Sequence, residues 1–234
     1  MKHLFLLLFS LSILSCGKVR PKGDITSRDE KVEDFVNLNL EGKFRAFYVK
    51  SDSSYVNIET YENVGKNLKL KVKNKTLSIT ESRETEGVDF YNVTIYSKYN
   101  LEKVSASNSV ELNISSEIKT DNFRLNLKNN AKFIGSVNTR RAEVEMNQKS
   151  RANFLGKSAE VVLKVSDTAS IIAPYWMINS AKISAKNGCY IEINVTDSLK
   201  GTVEKTAKLT YYGDPIQALK IEKTANVQHG KLDL

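Results

Sequence analysis

A zinc site, a serine–histidine–acid triad and a histidine acyl-transfer centre all depend on histidine. This 234-residue chain has two, His3 at its start and His229 near its end. The acids a polysaccharide-cleaving centre would need, Glu145, Glu160, Asp167 and Glu192, are dispersed and share no common spacing. The expectation is a protein without catalysis, and without a metal or other cofactor. Aromatic side chains offer a different chemistry. "APYWMI" (Ala173–Ile178) holds the only tryptophan. Tyr175 and Trp176 there, with Tyr211 and Tyr212 further on, form a candidate binding surface on which a sugar ring or a partner protein could rest.

Cysteine is as sparse as histidine, with only Cys16 and Cys189. Cys16 follows a positive start, "MKH", and the apolar run "LFLLLFSLSIL" (Leu4–Leu14), which is too short to span a bilayer as a stable helix. The junction "ILSCG" has an aliphatic residue three positions before the Cys and a small one directly before it. This resembles the lipobox of bacterial lipoproteins. The resemblance implies that residues 1–15 are removed and that Cys16 carries acyl chains, each buried CH₂ contributing about 0.8 kcal/mol to membrane attachment. With Cys16 acylated, Cys189 has no disulfide partner. Gly17 after the Cys, by resemblance to sorted lipoproteins, favours the outer membrane, with its periplasmic or cell-surface face left open. Residues 16–32 are polar, include Pro21 and Gly23, and read as a flexible tether.

The second half of the chain repeats. Residues Ala106, Leu127, Met146, Val165, Ala185 and Val203 each precede a polar triplet, at steps of 21, 19, 19, 20 and 18 residues. Four positions past each stands Val110, Ala131, Ser150, Ala169, Cys189 or Ala207. Two further on come Leu112, Phe133, Ala152, Ile171, Ile191 and Leu209. Alternation on both sides of the triplet means period-2 strands with one face buried. A hairpin would pair once and stop. A regular return predicts rungs that stack in parallel about 4.8 Å apart, with equivalent residues in ladders and the triplet as a corner. The expectation is an all-β, right-handed parallel β-helix or solenoid with rungs of about 19 residues. Cys189 becomes a buried ladder residue, not a reactive thiol.

The N-terminal half is less regular. Phe35–Val49 fits the same template with Leu40 before the corner and Phe44 and Ala46 after it. Tyr55–Thr80 holds three alternating strands with turns at 63–66 and 73–75, and Val88–Ser97 another. These predict longer, partly antiparallel strands that cap the coil. The opening "FVNLNLEGKFRAFYV", the stretch "YENVGKNLKLKVKNKTLSI", the polar-cornered rungs and the close "LTYYGDP" (Leu209–Pro215) together resemble the bacterial "head GIN domain, putative autotransporter adhesin" family, a domain of unknown function. The resemblance runs from about Val32 to Ala218. It implies a β-helix, often on an envelope lipoprotein, and suggests adhesion by likeness of fold. The chain departs from the family in having little glycine at its corners.

The expected organisation is a signal at 1–15, a tether at 16–32, a β-helix at 33–221 and a tail at 222–234. Expected partners are the membrane through Cys16 and a glycan or protein. The net charge of +8 comes from scattered lysines without a nucleic-acid motif. It suits acidic glycans or anionic headgroups if it has a partner, and solubility and edge protection if it has none. Two further readings stand beside a binding module: a structural or stress-related envelope protein facing the periplasm, and a polysaccharide-active enzyme on a β-helix scaffold.

Overall fold

A computed structural model describes residues 17–232; Cys16 and the apolar run before it lie outside the described residues. The repeat in the sequence is a physical stack, a β-solenoid of about seven turns. Four long strands form its body: β11 (Lys132–Met146), β12 (Arg151–Val165), β13 (Ser170–Ala185) and β14 (Tyr190–Val203), each parallel to the next. In β12 the buried residues are Ala152, Phe154 and Ser158, then Val161, Leu163 and Val165. The change of phase between Ser158 and Val161 marks a bend that sends each strand from one sheet into a second.

Sheet 1 contains β5 (Leu68–Lys73), β6 (Thr76–Glu81), β2 (Asn37–Gly42), β8 (Lys103–Asn108), the end of β10 (Ile118–Leu127), the second halves of β11 to β14, and β16 (Ile216–Ile221). Sheet 2 contains β1 (Ile25–Lys31), β4 (Tyr55–Tyr61), β7 (Tyr91–Ser97), β3 (Arg45–Lys50), β9 (Glu111–Ile114), the first halves of β11 to β14, β15 (Lys208–Tyr212) and β17 (Asn226–His229). The antiparallel pairs β1–β4, β4–β7 and β5–β6 cap the N-terminal end, as expected. A four-residue helix, α1 (Glu62–Gly65), fills the turn expected at 63–66. The β2–β3 rung is earlier in the chain than β6 and β7 but stacks between them and β8–β9.

The ladders read from spacing are in register. Ala106, Leu127, Met146, Val165, Ala185 and Val203 pair in succession, and Leu40 joins the row by pairing with Ala106. Phe133, Ala152, Ile171, Ile191 and Leu209 form the second row, entered through Ala46 and Leu112. Every one of these side chains is buried. Because no rung closes a core alone, each contributes its apolar area only when its neighbours are in place.

The triplets are corners, and their central residues explain the small need for glycine. Asn108, Asn129, Gln148, Asp167, Asn187 and Lys205 all have φ between 46° and 65°. Asn and Asp tolerate this left-handed region better than other side chains. The turn closes behind them, with Ala131 N donating to Lys128 O, Ala169 N to Ser166 O and Ala207 N to Glu204 O. The position after the turn is fully buried in each rung, which accounts for its compact residues, Cys189 among them.

Two boundaries differ from expectation. The segment read as a tether is folded: Val19 is buried, bridges to Thr85, and is followed by β1. The segment read as a tail contributes β17, parallel to β15. Both strands are polar and almost wholly exposed. They exist because the edges of β4 and β15 offer unpaired backbone groups, not because they bury a face.

Candidate functional site

The stretch Ala173–Ile178 holds an irregularity in the stack. β13 carries one residue more than β12 between Asn153 and Gly156, and three more than β14 between Ala173 and Met177. A bulge re-aims side chains, and here it turns Tyr175 outward and Trp176 inward. Tyr175 is 59% exposed, whereas Trp176 is 0% exposed. Trp176 lies beside Gly156 in register and stacks on Phe154 at 4.4 Å, and its Nε1 donates to Ser158 Oγ at 3.0 Å. It ends a buried aromatic row of Phe123, Phe133 and Phe154. Gly156 has φ 100°, and a Cβ there would sit 2.6 Å from Val137 O, so the approach of the preceding rung excludes any side chain.

The four expected surface aromatics therefore divide. Trp176 belongs to the core, and so does Tyr211, which follows the inward alternation of Leu209 and stacks on His229 at 4.8 Å. Gln217 Nε2 donates to its hydroxyl at 2.8 Å. Tyr175 and Tyr212 remain on the outer face of sheet 2. Tyr190 and Glu192, which spacing alone did not single out as a site, join them. Tyr190 and Tyr212 donate to the two oxygens of Glu192, at 3.0 and 2.7 Å. The Tyr212 hydroxyl is pushed up to about 12, first by its hydrogen bond to the Glu192 carboxylate, then by burial and by the neighbouring phenols of Tyr190 and Tyr175. The sequence signal was present in the outward period-2 pair Tyr190 and Glu192, one rung from Tyr212.

Around these phenols the outer face of sheet 2 collects apolar side chains. Ile134, Leu155, Ile172, Tyr175 and Met177 are each at least 41% exposed, and they occupy β11, β12 and β13. The arrangement offers flat apolar and aromatic contact with hydrogen-bonding phenols at its rim. It can hold a sugar ring or a protein surface.

A separate open cleft of about 590 Å³ lies beside the N-terminal corners. It is lined by Asn108 and Asn129 on one side and by Glu41, Lys43, Glu81 and Arg83 on the other. Burial raises the Glu81 carboxyl above its usual range, against the hydrogen bond from Thr85. Cys189 occupies the buried ladder position expected of it, and burial pushes its thiol up to about 11. Among the described residues no group of three or more His, Cys, Asp and Glu side chains is placed to hold a metal ion. None of their helices is long and apolar enough to cross a membrane.

A family described as "Putative auto-transporter adhesin, head GIN domain" matches residues 34–215. The fold is shared with crystal structures of a "putative adhesin" from Bacteroides fragilis (TM-score 0.81, 19% identity), a "putative lipid binding protein" from Parabacteroides distasonis (0.75, 16%) and a "putative adhesin" from Parabacteroides merdae (0.68, 16%). The likeness covers 92–93% of this chain and 99–100% of theirs. At these identities it establishes the fold. No curated protein matches the chain.

Proposed function

The chain belongs to the head GIN domain family, described as "Putative auto-transporter adhesin", and from that membership we propose a non-catalytic binding module of the cell envelope. In this reading acyl chains on Cys16 hold it to the outer membrane, and the outer face of sheet 2 meets a glycan or a protein. The supporting observation is the segregation of Ile134, Leu155, Ile172, Tyr175 and Met177 onto one sheet face. Apolar side chains gathered in this way are a mark of an interaction surface, whereas single scattered ones are ordinary.

The folded start of the chain refines the attachment. Val19 is buried three residues after Cys16. Three extended residues reach about 10 Å at most. An acylated Cys16 would thus hold the N-terminal cap directly against the bilayer, with the long axis of the stack leading away from it or along it.

Protease treatment of intact cells, with periplasmic and surface controls, tests the adhesin role. Cleavage on intact cells supports an outward-facing domain. Protection until lysis would sink adhesion and favour a structural protein facing the periplasm. Release of a Cys16→Ser variant from the membrane fraction tests the anchor separately. Binding screens with Tyr175→Ala test the surface, a loss being expected for whichever glycan or protein the wild type retains.

A further inference from the structure

The two sheets differ in what they show to solvent. Sheet 2 carries the exposed Ile134, Leu155, Ile172, Tyr175 and Met177; the outer face of sheet 1, from β12 to the C-terminal end, carries lysines, with Ile216 and Ile221 exposed on its last strand. Two in-register rows run across it. One is Val162, Lys182, Lys200 and Ala218, and the other is Lys164, Ser184, Thr202 and Lys220. All four lysines are exposed. Lys182 and Lys200 are direct neighbours on parallel strands about 4.8 Å apart, an arrangement that costs stability when the charges are alike.

The same sheet handles its earlier cations differently. Arg124 and Arg141 both reach Glu143, at 3.2 and 3.0 Å, and Arg141 also reaches Glu160 at 3.2 Å. Among the described residues none of Lys164, Lys182, Lys200 and Lys220 takes part in an ion pair. The nearby acids are Glu145, beside Lys164 in register, and Glu204 and Glu222 at the corner; Glu222 is occupied by the backbone N–H of Lys205. Asp197 accepts from Ser180. Between these acids lies a flat field of ammonium groups and hydroxyls.

We propose that this face binds an anionic polysaccharide, laid across the rungs with its carboxylates or sulfates on Lys164, Lys182, Lys200 and Lys220 and its hydroxyls against Ser184 and Thr202. Charge complementarity carries the assignment: a partner with repeating negative charge removes the repulsion that the fold leaves uncompensated. A bilayer fits this face less well. Membrane-surface docking needs aliphatic and aromatic side chains among the cations; here the last strand alone offers exposed large apolar ones, Ile216 and Ile221, while the exposed tyrosine and most of the aliphatic side chains are on the opposite sheet. The proposal does not depend on the Tyr175 surface or on the anchor at Cys16.

The test is binding of the full-length protein to polygalacturonate and dextran sulfate, with neutral dextran and vesicles of anionic phospholipid as separate arms. Wild-type protein is expected to bind both polyanions in a salt-sensitive way and to ignore dextran. Lys182→Gln/Lys200→Gln is expected to weaken that binding about tenfold or more, and Lys157→Gln/Lys208→Gln on sheet 2, which removes the same charge, less than about twofold. The Lys182/Lys200 variant should melt no lower than wild type, because it removes a like-charge pair. Equal binding by the two double variants, or retention by the vesicles alone, would overturn the proposal.

Discussion

Asn129 Nδ2 donates to Asn108 Oδ1 at 3.0 Å across neighbouring rungs, and both residues hold left-handed backbone, at φ 59° and 65°. The backbone N–H of Asn129 also donates to Gln148 Oε1 in the next rung, at 2.7 Å. Asn187 repeats the relationship with Asp167, Nδ2 to Oδ1 at 2.9 Å. The corners therefore do two jobs with one residue type. The short amide or carboxylate tolerates the positive φ, and it ties adjacent rungs along an edge where the backbone ladder is interrupted.

The two jobs can be separated at Asn129. Asn129→Gly keeps the backbone conformation and loses only the side-chain bond, an expected cost of about 1 kcal/mol. Asn129→Ala loses the same bond and keeps a Cβ in the left-handed region without the short polar side chain that lets asparagine tolerate it, leaving it about 1–2 kcal/mol below the glycine variant. Urea denaturation should rank wild type above the glycine variant and the glycine variant above the alanine variant. Equal losses in the two variants would mean that the hydrogen bond is the whole contribution.

The corner after β14 predicts a stabilising change. Lys205 and Thr206 have φ 46° and 62°, where the preceding rung uses Asn187 and Gly188 at 58° and 74°. A β-branched residue in this region is strained. Thr206→Gly is expected to raise stability by about 0.5–1 kcal/mol net of the greater freedom of the unfolded chain. Thermal melting reads it directly. A lower melting temperature would show that the bond from Thr206 Oγ1 to Lys205 O, at 2.6 Å, outweighs the strain.

The bulge at Pro174 and Tyr175 gives opposite expectations for adjacent residues. Trp176→Ala removes a fully buried ring that stacks on Phe154 and leaves the Ser158 hydroxyl without its donor, at a cost of about 3–5 kcal/mol. Tyr175→Ala, at an exposed position, should change stability by less than about 0.5 kcal/mol. Parallel denaturation curves for the two variants check this. A large loss at Tyr175 would make it a packing residue and remove it from the binding surface.

This pair also marks how far the sequence could be read. Where every rung alternates and every corner is polar, the spacing between Ala106 and Val203 was enough to assign the ladders residue by residue. Even the bulge left a trace, since the step from Val165 to Ala185 is 20 and the next is 18. The direction of Trp176 was not legible, because alternation breaks at Pro174 and period 2 no longer says which neighbour faces in. Tyr211 was a different error: its inward parity follows from Leu209, and reading the tyrosine pair as a unit hid it. The strands Ile25–Lys31 and Asn226–His229 left no pattern at all. They bury no face, and what orders them is the open backbone of a neighbouring strand, which local composition does not record.

High pH should weaken the fold through Tyr48. Its side chain is buried, its hydroxyl donates to Tyr99 O at 2.8 Å, and burial pushes its pKa up to about 12 from 10.0. Between these values the unfolded chain releases the proton and the native protein keeps it. The native state thus binds more protons, and stability falls as pH rises from 10 towards 12. At about 1.4 kcal/mol per unit, the two-unit difference is worth about 2–3 kcal/mol across that window. Tyr48→Phe is expected to be less stable near neutral pH by about 1 kcal/mol, for the lost hydrogen bond, but to have a shallower decline above pH 10. Urea midpoints measured from neutral to strongly alkaline pH would show the two curves converging. Parallel curves would move the alkaline sensitivity away from Tyr48, leaving Tyr91, whose hydroxyl burial also raises, as the group to replace next.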